Sequence, residues 1–132
     1  MTTNNYKHSE LTQKIISAYY KVYNTLGYGF LEKIYEKALL IELRKIGLTV
    51  EEQKSINVYY HDEEVGVYFA DLIVNDSVII EIKATEKLNK KNEVQLVNYL
   101  KATNIEVGLL MNFGEAPVIK RKVFSNHKFA CE

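Results

Sequence analysis

Near the start of the chain apolar residues recur at helical spacing: Leu11, Ile15, Ala18, Tyr19, Val22 and Leu26 follow a candidate cap at Ser9, and Gly27 and Gly29 end the pattern. Leu31, Ile34, Tyr35, Ala38, Leu39, Leu43 and Ile46 form a second stripe that stops at Gly47, a residue suited to the end of a helix. Two helices are predicted. From Thr49 the period shortens to that of strands, with runs around Val50 and over 55–60, 65–74 and 78–84, and with His61, Asp62, Glu63 and Glu64 as a charged turn. Residues 92–102 return to helical spacing, through Val94, Val97 and Leu100 or through the adjoining face of Leu96 and Tyr99. Residues 106–113 read as another strand closed by Gly114. The last extended run, 118–124, carries Lys120, Arg121 and Lys122, charges that suit a sheet edge. Two helices, a β-meander, a helix and one or two strands predict an α/β or α+β sandwich. The strand after the third helix can then cross over to lie parallel to an earlier one.

Asn75, Asp76 and Ser77 are turn residues between two strands rich in β-branched and aromatic side chains, which predicts a hairpin. A three-residue loop sets Val74 opposite Val78 and Asp71 opposite Glu81; a two-residue loop would set Asp71 against Ile80 and separate the pair. In the first register both carboxylates share a face with Lys83, while Ile80 and Ile82 point the other way. Like charges facing each other across a sheet repel, and a carboxylate among apolar neighbours is costly unless neutralised. A divalent cation would answer both. On the same reasoning, Asp71→Ala without metal is expected to be no less stable than the wild type. The plainer alternative is a set of edge ion pairs with Lys83 and other lysines.

At 132 residues and 15.3 kDa, one domain spanning 1–132 is expected. Lys+Arg 17 balances Asp+Glu 17, so no global basic field points to nucleic acid, and any such contact must use local patches. Lys83, Lys87, Lys90 and Lys91 are one candidate patch, and read equally as a solvated loop. The single cysteine, Cys131, excludes an intrachain disulfide and a cysteine metal cluster, which fits a reducing cytoplasm. Residues 1–9 lack the apolar stretch of a signal peptide, and no apolar run approaches the ~18 residues of a membrane helix, so a cytoplasmic protein with no membrane partner is expected. His8, His61 and His127 show no ligand spacing.

The triplet Glu81-Ile82-Lys83 at the end of an apolar strand, with Asp71 upstream across a turn, resembles the PD-(D/E)XK nuclease superfamily. That superfamily has a restriction-endonuclease-like core of helix, three-stranded meander, helix and strand, here preceded by an extra N-terminal helix. The resemblance implies that Asp71 and Glu81 hold a catalytic magnesium ion, with manganese as a substitute, and that Lys83 assists the attacking water. Gly29-Phe30-Leu31-Glu32-Lys33-Ile34-Tyr35 fits the G-x-x-E-x-x-Y pattern that names a small family of presumed nucleases, and the likeness runs over 11–124. Gln95-Leu96-Val97-Asn98-Tyr99 looks like the Q-x-x-x-Y motif of the RecB-like branch, which implies that Gln95 and Tyr99 flank the metal pocket. The family pattern has a histidine shortly before that glutamine; this chain has Asn92.

The residues themselves are compatible with these roles. Glu32 and Tyr35 share a helix face, as do Gln95 and Tyr99, and the Ile82 carbonyl lies between the two key side chains of the strand. Magnesium prefers oxygen ligands and keeps several waters, so Asp71, Glu81, the Ile82 carbonyl and Glu32 would suffice. Glu32 also reads as a solvated helix residue, Gln95 as a surface amide and Tyr99 as a core phenol. The expected function is magnesium-dependent hydrolysis of phosphodiester bonds, with DNA as the nucleic-acid partner and a homodimer conceivable. The alternatives are a dimeric structure-specific resolvase and a catalytically silent module that binds nucleic acid or protein.

Overall fold

A computed structural model describes residues 7–125. The chain runs α1 (Ser9–Leu26), α2 (Glu32–Lys45), β1 (Val50–Tyr60), β2 (Glu63–Val74), β3 (Val78–Lys83), α3 (Lys90–Lys101), β4 (Val107–Phe113) and β5 (Pro117–Val123). The strands form one mixed sheet in the order β1-β2-β3-β4-β5, antiparallel throughout except for the β3–β4 pair. The crossover through α3 therefore produces the expected parallel pairing, and β5 is the edge strand that its basic residues suggested. This is the α+β sandwich of a restriction-endonuclease-like core with an added N-terminal helix.

The predicted elements are present, with three local differences. Residues 50–60 are one continuous strand, and the charged turn shrinks to His61 and Asp62, both at positive φ, which leaves Glu63 and Glu64 inside β2. On α2 the buried stripe is Tyr35, Glu36, Leu39, Leu40 and Leu43, whereas Leu31, Ile34 and Ile46 are exposed. The helix is thus rotated away from the face that its apolar residues alone suggested. Tyr35 sets that rotation: its ring stacks on Phe113 at 4.2 Å, and its hydroxyl donates to the Gly27 carbonyl and accepts from the Phe30 N–H. On α3 the buried residues are Leu96, Tyr99 and Leu100, so the second of the two predicted faces packs inward.

The sheet has two unequal apolar layers. Under α1 and α2 lie Leu72, Val74, Val78, Ile80, Ile82, Leu109 and Met111; under α3 lie the fewer side chains of Ile56, Ala70, Ile73, Ile79 and Leu110. Leu72 and Ala70, two apart on one strand, face opposite layers, and so do Val50 and Ile56 on β1. A regular strand would keep each pair on one side. The break is at Gln53 and Asp71. Glu52 pairs with Leu72 and Lys54 with Ala70, but Gln53, at φ 52°, and Asp71 between them do not pair. The two strands roll over together there, and beyond that point β1 and β2 continue as a two-stranded arm.

Candidate active site at the end of the β2–β3 ladder

The β2–β3 ladder runs Val74↔Val78, Ile73↔Ile79 and Leu72↔Ile80, the register of a three-residue loop, and the next step sets Asp71 against Glu81. There the strands separate, and side chains replace the ladder bonds. The Asp71 N–H donates to Glu81 Oε2 at 3.0 Å, and the Ile82 N–H donates to Asp71 Oδ2 at 2.8 Å. Each carboxylate thus satisfies a backbone amide of the other strand, which would otherwise be left without a partner at the splayed end. The N–H and C=O of a strand residue point to the same side, so the Ile82 carbonyl lies on the β2 side of β3. The cluster sits at the carboxyl end of the parallel β3–β4 pair, where open α/β sheets commonly bind ligands.

Glu81 is 5% exposed. Burial, and secondarily the charge of Asp71, push its carboxyl up to about 8. The site is short of positive charge. Lys83, on the same face two residues on, lowers the shift only in part. Lys83 is held in place by its surroundings: it pairs with Asn112 on β4, whose side-chain amide makes two hydrogen bonds to the Thr85 backbone. Gly114 completes this clamp, because a Cβ there would lie 2.5 Å from the Thr85 carbonyl.

A further acid is buried on α2, one turn after Glu32. Glu32 is the first residue of α2 and is exposed. Glu36, one turn on, is 4% exposed and points into the site. Gln53 Nε2 donates to both Glu36 oxygens at 3.1 and 3.2 Å and approaches Asp71 Oδ1 at 3.3 Å, so the left-handed kink residue links α2 to the sheet carboxylates. Burial, and next a hydrogen bond with the Glu52 carboxylate, raise the Glu36 carboxyl above its ordinary range, while the same bond and Lys37 lower Glu52. Glu36 Oε2 also accepts from Lys33 Nζ at 3.2 Å, an ion pair within the helix. A charged residue on the apolar stripe of α2, in line with Leu39, Leu40 and Leu43, was the sequence signal for Glu36. Gln53 had none.

Tyr99 lies on the far wall. Burial first, then the charges of Glu81 and Asp71, raise its phenol to about 12, which keeps it a neutral hydrogen-bond donor beside the carboxylates. Gln95, one turn earlier on α3 and half-buried, lines the groove between α3 and the β1–β2 arm. Asn92 forms a reciprocal cap with Asn89: each side chain accepts the backbone N–H of the other. Among the described residues His8 and His61 are exposed; His127 and Cys131 lie outside them.

Among the described residues no group of three or more His, Cys, Asp or Glu side chains is placed to hold a metal ion. Two carboxylates, of Asp71 and Glu81, and the backbone carbonyl of Ile82 are nonetheless oxygen donors of the kind a hard cation takes. Magnesium, which keeps several of its waters, needs few protein oxygens.

A mixed sheet with helices on both faces, and an Asp and a Glu-x-Lys where a hairpin ladder ends, define a restriction-endonuclease-like protein. The family model described as the PD-(D/E)XK nuclease superfamily matches residues 9–123, and the chain belongs to that superfamily. Its structure is similar to the one titled "Crystal structure of SSO0001", with a TM-score of 0.55 and 18% identity over 94% of this chain and 68% of the other, a likeness of fold. No curated protein matches the sequence significantly.

Proposed function

We propose that this protein is a divalent-metal-dependent nuclease of the G-x-x-E-x-x-Y type within the RecB-like branch, hydrolysing phosphodiester bonds, of DNA in the first instance. The observation that carries the reading is the meeting of Asp71 and Glu81, one buried and short of positive charge, beside Lys83. Asp71, Glu81 and the Ile82 carbonyl would hold magnesium or manganese, with Glu36 facing the same space and Glu32 at its outer edge. A cation held there would polarise the scissile phosphate and make water more acidic.

The remaining work falls to side chains. Lys83 carries its charge on the side of the sheet shared with Glu81, where it can orient the attacking water or balance charge gathering on the phosphate oxygens. Tyr99, a neutral phenol, can donate a hydrogen bond from the opposite wall, and Gln95 offers its amide beside it. The two glycine and tyrosine ends of the G-x-x-E-x-x-Y segment have a structural reason: Gly29 sits at φ 113°, and Tyr35 clasps the loop between α1 and α2. They set the position from which α2 presents its acids.

The test is calorimetric titration of magnesium into wild type and Asp71→Ala, together with a nicking assay. Wild type should bind and cleave, and Lys83→Ala should bind within about twofold while cleaving at least about tenfold more slowly, because lysine adds no ligand oxygen. Absence of both magnesium binding and magnesium-dependent cleavage would favour a silent module of the same fold.

A further inference from the structure

Beyond the ladder's end, β1 and β2 form an arm that pairs only with itself, and it exposes Tyr59, Tyr60, Tyr68 and Phe69 by about half or more. The roll at Gln53 and Asp71 turns one of these inward. Tyr68 pairs with Ile56, whose side chain lies in the α3 layer, and its ring stands 5.4 Å from that of Tyr99 at a tilt of 44°. Between arm and helix runs a groove of about 850 Å³. Tyr59, Tyr68 and Tyr99 stand along it, and Lys90, Lys91 and Lys101 of α3 border it. Its floor at Tyr99 is close enough to Glu81 and Asp71 for their charges to raise the phenol. Tyr99 is thus the element shared by the groove and the surroundings of Glu81 and Asp71, which do not themselves line it.

We propose that this groove binds an unpaired polynucleotide strand, with bases stacked on Tyr68 and Tyr59 and phosphates facing Lys90, Lys91 and Lys101. The proposal deepens the nuclease reading and rests on it for the fate of the strand: the substrate class is single-stranded or locally opened nucleic acid. Two features favour that occupant. Aromatic rings in a row offer stacking faces, which an intact duplex cannot use because its bases already stack on one another, whereas a single strand can. The cations on the helix wall match a phosphate backbone, a local patch in a protein whose net charge is zero. A small apolar ligand would use the rings and leave the lysines without a role.

Anisotropy titrations in chelator separate binding from cleavage. Labelled single-stranded DNA and RNA oligonucleotides should bind at least about tenfold more tightly than a duplex of the same sequence. Tyr68→Leu should weaken single-strand binding about 5- to 150-fold, the range found for loss of one base-stacking ring, with duplex binding unchanged. Replacing Lys90 and Lys91 together by alanine should reduce the salt dependence of log Kd by about 1.4, from ~0.7 per phosphate contact on a single strand. A thermal melt checks that Tyr68→Leu folds; if it does not, Tyr59→Ala, on the exposed arm, carries the same test. Equal binding of single strand and duplex, or wild-type affinity in the tyrosine variants, overturns the groove. Tight single-strand binding with no cleavage in magnesium would sink the nuclease reading and leave the groove standing; duplex cleavage indifferent to Tyr68 would do the reverse.

Discussion

The two halves of β2 differ more from each other than many separate strands do. Leu72, Ile73 and Val74 pair on both sides, with β1 and with β3, and are buried among both apolar layers. Residues 63–70 pair with β1 alone, and only Ala70 among them is buried. One half holds the molecule together, and the other reaches out from it. Asp71 is the joint between them, and the chemistry collects where hydrogen bonding passes from backbone to side chains. A ladder's end leaves amides that carboxylates can satisfy, and carboxylates so held are oriented for another task.

Breaking the joint should have the largest effect. Asp71→Ala is expected to lower magnesium-dependent cleavage by at least about 10²-fold, measured in single-turnover assays. The structure also reverses the sequence-based expectation for its stability. With the carboxylate gone, the buried Ile82 N–H loses its acceptor, at a cost of ~1–3 kcal/mol, whereas relief of repulsion with Glu81 returns only up to ~1 kcal/mol. Urea unfolding in chelator should show a net loss of stability, and an unchanged or raised midpoint would mean that the repulsion outweighs the hydrogen bond.

The contrast between the halves can be measured directly. Leu72→Ala, in the fully buried half, should destabilise by ~2–5 kcal/mol, while Phe69→Ala, on the arm, should stay within ~0.5 kcal/mol. Similar losses in the two variants would mean that the arm packs against something in solution and is no free ribbon.

A smaller effect comes from Glu81. Its carboxyl titrates at 4.5 ordinarily and near 8 in the fold, so between those values the folded protein holds a proton that the unfolded chain has released. Stability from this group is fully present below pH 4.5, declines as pH rises, and is gone above about 8. Without metal, wild type should therefore lose stability across that window relative to Glu81→Gln, read from thermal melts at stepped pH. Magnesium should flatten the difference, since a cation takes over the proton's role. The smallest expected effect distinguishes two turns of α2: Glu36→Gln should weaken magnesium binding about tenfold, and Glu32→Gln less than about twofold. The opposite order would return the role to the residue of the sequence motif.

Much of this was legible along the chain. The change from helical to strand period at Thr49 and the hairpin turn over Asn75 to Ser77 follow from local patterning, and the structure selects the three-residue loop of the two that patterning allowed. Period and turn are properties of neighbours in sequence. Lys83 could be placed on the face of Glu81 because alternation along a strand needs no tertiary information.

Other features depended on the packed molecule. The rotation of α2, which buries Glu36 and leaves Glu32 and Ile34 in solvent, is decided by the stacking of Tyr35 on Phe113, a residue far away in sequence. Periodicity tells which residues share a helix face, but several apolar faces compete on α2, and only the partner surface selects one. The same holds for the roll at Gln53: nothing in its side chain demands a left-handed backbone, and the conformation persists because both arms of the hairpin must cross from one apolar layer to the other. Sequence determined the strands and the hairpin that brings Asp71 and Glu81 together. Packing decided the order of the sheet, which acid of α2 is buried and which way the tyrosines of the arm face, because those outcomes rest on contacts between segments that patterning along the chain does not relate.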